Sequence, residues 1–114
     1  MRPDLLYLED LAAAARAVGR FMAGVEEAAF VEDELLQSAV LYKLVTLGEA
    51  AARISPETRE AMPGIPWRAV VGFRNFAVHE YFGLDLAIVW HTAIVQVPLL
   101  LAAVEGVLGE DGQG

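Results

Sequence analysis

Cysteine is absent from the chain, so disulfides and thiolate metal sites are excluded and the redox compartment is left undecided. Basic residues are scarce, with eight Lys and Arg against 16 Asp and Glu and a formal net charge of −8. That balance argues against a protein coated with cations for general nucleic-acid binding, though not against a local basic site. Histidine is rarer still, present only as His79 and His91. Gly-rich phosphate loops and Ser/His/Asp arrangements are missing, so no cofactor is expected. No compact carboxylate–histidine spacing supports a metal site. Period-two alternation never lasts long enough for a strand, and no internal repeat occurs. The start Met1-Arg2-Pro3-Asp4 lacks the basic opening and short apolar run of a signal peptide, and a cytoplasmic location is expected.

What is present is apolar and rich in alanine. Hydrophobic residues make up 56% of the 114 positions, which rules against disorder and suits one core. A single helical domain is expected over 1–108, with 109–114 as a frayed tail. Leu5, Leu8, Leu11, Ala15, Val18 and Met22 repeat at threes and fours, predicting an amphipathic first helix that stops at Gly24. Residues 25–32 read as a connection or a short extra turn. A second helix is expected from about Asp33 to Arg53, with Leu36, Val40, Leu44, Leu47 and Ala51 on its core stripe. Gly48 inside it costs about 1 kcal/mol against alanine, which asks for a reason such as close packing.

Ser55-Pro56 opens a short helix with a serine cap and proline in the first turn. Pro66-Trp67 opens a third helix of about ten residues, expected to fray near Val78, with a turn at Gly83. Asp85 caps a last helix running from Leu86 to about Leu108. That helix is apolar almost all round, which predicts burial on more than one side. A transmembrane span is the competing reading. His91, Thr92, Gln96 and Pro98 argue against it, and Pro98 should kink the helix. The expected fold is all-α, an up-and-down bundle of three long helices plus a short one. The excess apolar surface predicts a dimer.

The chemistry-bearing stretch is Arg74-Asn75-Phe76-Ala77-Val78-His79-Glu80-Tyr81. Arg53, Arg59, Arg68 and Arg74 crowd into 22 residues, enough for bidentate contact with a few phosphates. On an ideal helix positions 74 and 81 share a face, whereas 74 and 79 lie about 140° apart. Arg74 and His79 therefore converge only if the helix ends between them. An imidazole ionises near neutral pH and can take a proton from a ribose 2′-hydroxyl. A guanidinium can stabilise the charge that grows on the phosphate. The bland alternative is that both residues cap a helix end. Trp67 and Trp90 read as core anchors, and His91 as a satisfied core or interface histidine. Glu49 either reaches the cleft or pairs with Arg53 on its own helix.

The stretch resembles the R-x4-H-x-Y motif of HepT-like toxins in the HEPN ribonuclease superfamily. Leu47-Gly48-Glu49-Ala50-Ala51 is similar to the family's second-helix signature. Ile65-Pro66-Trp67-Arg68 and His79-Glu80-Tyr81-Phe82-Gly83-Leu84-Asp85 resemble the flanking segments, and Trp90 is also similar. The likeness covers roughly residues 4–105. It implies a HEPN-like helical homodimer whose shared cleft cuts RNA without a metal, Arg74 and His79 being catalytic and Asn75 orienting the motif. It further implies a toxin–antitoxin module and a minimal nucleotidyltransferase antitoxin of the MntA type, which silences the toxin by transferring AMP to Tyr81. A non-catalytic helical module that binds such a nucleotidyltransferase is the alternative.

Overall fold

Several helix ends fall where side chains or glycine satisfy free backbone groups. The computed structural model describes the backbone of residues 2–79 and 85–113, with all side chains in those ranges except Arg2, Val78, His79 and residues 110–113. Helix α1 (Arg2–Met22) stops before Gly24, whose φ of 72° is a left-handed turn that glycine adopts without steric cost. Helix α3 (Glu34–Ala52) starts where the Asp33 carboxylate accepts the Leu36 N–H at 2.9 Å. Between them, residues 25–32 form a helical turn, α2 (Glu27–Val31), and not merely a connection. Its Phe30 is completely buried.

Helix α4 (Pro56–Ala61) has the expected cap, the Ser55 hydroxyl accepting from the Thr58 N–H. Next comes a rod of three pieces: α5 (Trp67–Gly72), a 3₁₀ turn (Phe73–Asn75) and α6 (Phe76–His79). The final rod is α7 (Leu86–His91), a π turn (Thr92–Gln96) and α8 (Val97–Gln113). Its start is capped by the Asp85 carboxylate, which accepts the Ala87 N–H at 3.0 Å. Pro98 is accommodated by that π turn. Proline has no N–H to donate, so the register shift sits where the helical ladder is already interrupted. The described backbone stays helical to Gln113, past the end expected at Leu108. All regular elements among the described residues are helical, with more short pieces than the single one expected.

The core lies where α1, α3 and the final rod meet. Leu8, Leu11, Ala12, Ala15 and Val18 of α1 face Val40, Leu44, Leu47 and Ala51 of α3, all buried. Val89, Ala93, Val97, Leu100 and Val104 close the core from the final rod. Helix α1 packs most extensively on α3 and next on α8.

Burial of the final rod on more than one side does not hold within one chain. Its outer face leaves Ile88, Val95 and Leu99 exposed at 55%, 41% and 70%. One small bundle has too few elements to cover two faces of so long a helix. By length and composition alone, Leu86–Gly109 would suffice to cross a membrane. In this fold one stripe of it completes the core, and its Glu105 accepts from Arg16 at 2.9 Å.

Two polar devices fix the end of the bundle where α1 starts and α3 stops. Asp4, 7% exposed, accepts from the Ser55 N–H at 3.0 Å and from the Ser55 and Thr58 hydroxyls at 2.6 Å each. It ties the start of α1 to the start of α4. Arg59 donates to the Ile54, Ala51 and Ala52 carbonyls, satisfying the open end of α3.

Candidate functional site at the Arg74 turn

The rod that carries the motif is placed by an every-third-residue apolar spacing: Trp67, Val70, Phe73 and Phe76. Such a spacing drifts around an α-helix but stays in line on a 3₁₀ helix, which has three residues per turn. The rod tightens accordingly at Phe73–Asn75, where the Phe76 N–H donates to the Phe73 carbonyl. The Phe73 and Phe76 rings consequently stack, with centroids 5.9 Å apart and planes 27° apart. Trp67, Val70 and Phe73 are buried, and α3 lies alongside all three pieces of the rod. Trp67 is fixed further by donating its indole N–H to the Met62 carbonyl at 3.1 Å.

Arg74 and Asn75 of the same rod are exposed to solvent. Arg74 is held from behind by α3. A methyl group at Gly48 would lie 2.8 Å from the Arg74 backbone nitrogen, 3.0 Å from its Cγ and 3.1 Å from the Val70 carbonyl oxygen. The glycine that looked costly in the sequence therefore has its reason: two backbones approach too closely for any Cβ. An exposed guanidinium on a rigidly backed turn, with no ion pair among the described residues, can approach an anionic group.

The backbone remains helical through His79, so the chain tightens between Arg74 and His79 instead of ending there. Fraying at Val78 is not seen in the described backbone. The His79 side chain, Glu80, Tyr81 and the turn at Gly83 lie outside the described residues. The convergence of Arg74 with His79 and the placement of Tyr81 accordingly lie outside them as well.

The four-arginine cluster is not one surface. Arg59 is taken up by the end of α3, and its guanidinium carbon lies 5.9 Å from the centre of the Trp67 ring. Arg53 lines a different groove of about 490 Å³ between α1 and α3, together with Arg20, Lys43, Asp10 and Glu49. Glu49 thus faces that groove and not the Arg74 turn, and no ion pair joins it to Arg53 among the described residues. Arg68 and Arg74 remain as exposed cations of the rod.

His91 is exposed, which removes the core half of its reading and leaves the interface half: the face it occupies is not covered by this chain. Trp67 is the core anchor expected. Trp90 is partly buried against the core, with its indole N–H buried and unpartnered among the described residues. Asp4 is the one described group held clearly off its ordinary pKa, lowered chiefly by the Ser55 hydroxyl, then by the Thr58 hydroxyl and the Ser55 N–H. It lies in the latch between α1 and α4 and is structural. An apolar groove of about 360 Å³ runs between the Arg74 rod and α8, lined by Val70 and Phe73 on one side and Leu99 and Leu100 on the other.

A ribonuclease HepT-like family matches residues 11–107. A Methanocaldococcus jannaschii protein bearing an RNase name is 32% identical over 99 residues, which are 87% of this chain and 91% of the relative. A Caldanaerobacter subterraneus protein, also named as an RNase, is 30% identical over 97% of this chain and 99% of its own. A probable ribonuclease HepT of Thermococcus cleftensis is 34% identical over 82% of this chain and 86% of its own. No solved structure matches significantly. The chain belongs to the ribonuclease HepT-like family.

Proposed function

We propose that the protein is a metal-independent endoribonuclease toxin that acts as a homodimer, with Arg74 and His79 as its catalytic residues. The observation that carries this reading is an exposed Arg74 on a rigidly backed turn, within a chain of a ribonuclease family. His79 Nε2 or Nδ1 takes the proton of a ribose 2′-hydroxyl, and the 2′-oxygen attacks the adjacent phosphorus. The P–O5′ bond breaks, a second acid protonates the leaving 5′-oxygen, and the products are a 2′,3′-cyclic phosphate and a 5′-hydroxyl. Arg74 offsets the extra charge on the phosphoryl oxygens in the transition state. Asn75, one residue on and equally exposed, orients the strand or the motif.

One chain offers one imidazole in the motif, and the reaction needs a base and an acid. On an ideal α-helix, positions 74 and 79 would lie about 140° apart. A second copy supplies both the missing acid and a partner for the arginine. The uncovered face at Ile88, Val95 and Leu99 and the apolar groove beside it give such a copy a surface to bury.

The toxin is silenced by a minimal nucleotidyltransferase antitoxin. It transfers AMP from ATP to the Tyr81 phenol, releasing pyrophosphate, and the added nucleotide excludes RNA by bulk and charge. Tyr81 lies two positions after His79, close enough in sequence for the modification to block the motif.

The test is RNA cleavage in EDTA by unmodified protein, comparing wild type with Arg74→Ala and His79→Ala. Cleavage that survives chelation, leaves cyclic phosphate ends and drops at least 100-fold in either variant is expected. Undiminished cleavage by either variant removes that residue from the mechanism. No cleavage by clean wild type favours a non-catalytic partner of a nucleotidyltransferase. Intact mass after incubation with the antitoxin and ATP tests the silencing, because Tyr81→Phe should take up no AMP.

A further inference from the structure

Seven glycines have described surroundings, and one of them is crowded. Gly19, Gly24, Gly64, Gly72, Gly106 and Gly109 have nothing within 4 Å of where a Cβ would stand. Gly48 has three atoms within 3.1 Å. Conformational freedom is not its reason, because Gly24 is the only glycine with positive φ among the described residues. Alanine is the better helix former at an unhindered site, so the pressure for glycine at 48 is steric.

The identity of the crowding atoms matters. Two of the three belong to Arg74 and two of the three are backbone atoms, which cannot swing aside as a side-chain tip can. A methyl group at 48 can be accommodated only if the rod backs away from α3. The atoms that yield first are the nitrogen and Cγ of the residue whose guanidinium faces the phosphate. Phe73 anchors the same rod on its buried side, so the displacement is a tilt about it and not a free slide.

From this geometry we infer that Gly48 is a positioning residue that sets the depth of Arg74 in the cleft. The inference rests on Arg74 being the phosphate-binding cation of the reaction proposed above. A displacement of roughly half an ångström is enough to matter, since misplacing a reacting group by about 1 Å costs on the order of 100-fold. Gly48 touches neither substrate nor reacting atoms, and its whole effect is expected to pass through Arg74.

A double-mutant cycle in steady-state kinetics reads that dependence. Gly48→Ala should lower kcat about tenfold or more with KM changed less than about threefold. In an Arg74→Ala background, Gly48→Ala should cost no further rate, because the residue it misplaces is gone. Gly72→Ala, in the same rod with open space at its Cβ, should leave kcat unchanged. Equal losses with and without Arg74 would reduce Gly48 to a packing residue and overturn the inference. An unchanged kcat in Gly48→Ala would overturn it too, and so would Gly72→Ala matching the loss. Arg74→Ala cleaving RNA at the wild-type rate would instead refute the catalytic reading beneath it, which separates the two failures. Should Gly48→Ala not fold, a crystal structure of the wild-type enzyme decides. Close approach of the Arg74 nitrogen to Gly48 supports the inference, and open space for a methyl at position 48 overturns it.

Discussion

Asp4 shows how much one carboxylate can hold when three donors converge on it. The Ser55 hydroxyl, the Thr58 hydroxyl and the Ser55 N–H all favour its ionised form, against the opposing pull of burial. Its folded pKa is therefore below the unfolded value. The stabilisation it gives is present above the ordinary carboxylate pKa and is lost as pH falls through the lowered one. Asp4→Asn replaces a pure acceptor with a group that turns donors toward two hydroxyls, and should cost about 1–2 kcal/mol at neutral pH. Chemical denaturation of wild type and variant across the acid range checks this. The gap should narrow in acid, where wild-type Asp4 also becomes neutral. A gap that stays constant with pH would mean that Asp4 acts by shape and not by charge.

At the scale of elements, Arg59 is the residue on which a surface reading of the basic cluster fails. It ends α3, reaches across to the face of Trp67 and so couples three elements. Arg59→Ala should cost about 1–3 kcal/mol of stability by freeing buried carbonyls, while the salt dependence of RNA cleavage stays unchanged. If the salt dependence weakened as it would on losing a phosphate contact, Arg59 would belong to the substrate surface after all. Contrast with the helix starts is instructive. Asp33, Ser55 and Asp85 act on N–H groups two or three residues away, and so could be read from order along the chain. Arg59 acts five to eight residues back across a turn, and Asp4 about fifty residues away, where order alone says nothing. Phe30 was hidden because its short helix borrows stability from packing and has no periodic stripe of its own. The spacing of Trp67, Val70, Phe73 and Phe76 was a legible sign of the 3₁₀ turn, overlooked under the assumption of a uniform α-helix. Glycine at 48 announced a close approach, but only the fold reveals Arg74 as its partner.

For the whole molecule, the unresolved balance is between one chain's surface and two chains' chemistry. Its final rod extends about 42 Å at 1.5 Å per residue, close to the 45 Å length of the molecule. Too little of the chain remains to cover its outer face. If a second copy covers that face, a charge at its most exposed apolar position should prevent assembly. Leu99→Arg should then sediment as a folded monomer and lose cleavage. A sharper prediction concerns how the chains share work. Wild-type subunits are mixed with His79→Ala subunits in varied proportions and allowed to exchange. A reaction that draws its base from one copy and its acid from the other runs only in dimers of two wild-type chains. At equal amounts of the two subunits, random pairing leaves about a quarter of the dimers competent. Activity should therefore fall as the square of the wild-type fraction. Independent sites would fall linearly, to about half in the same mixture, and that result would return both proton transfers to a single chain.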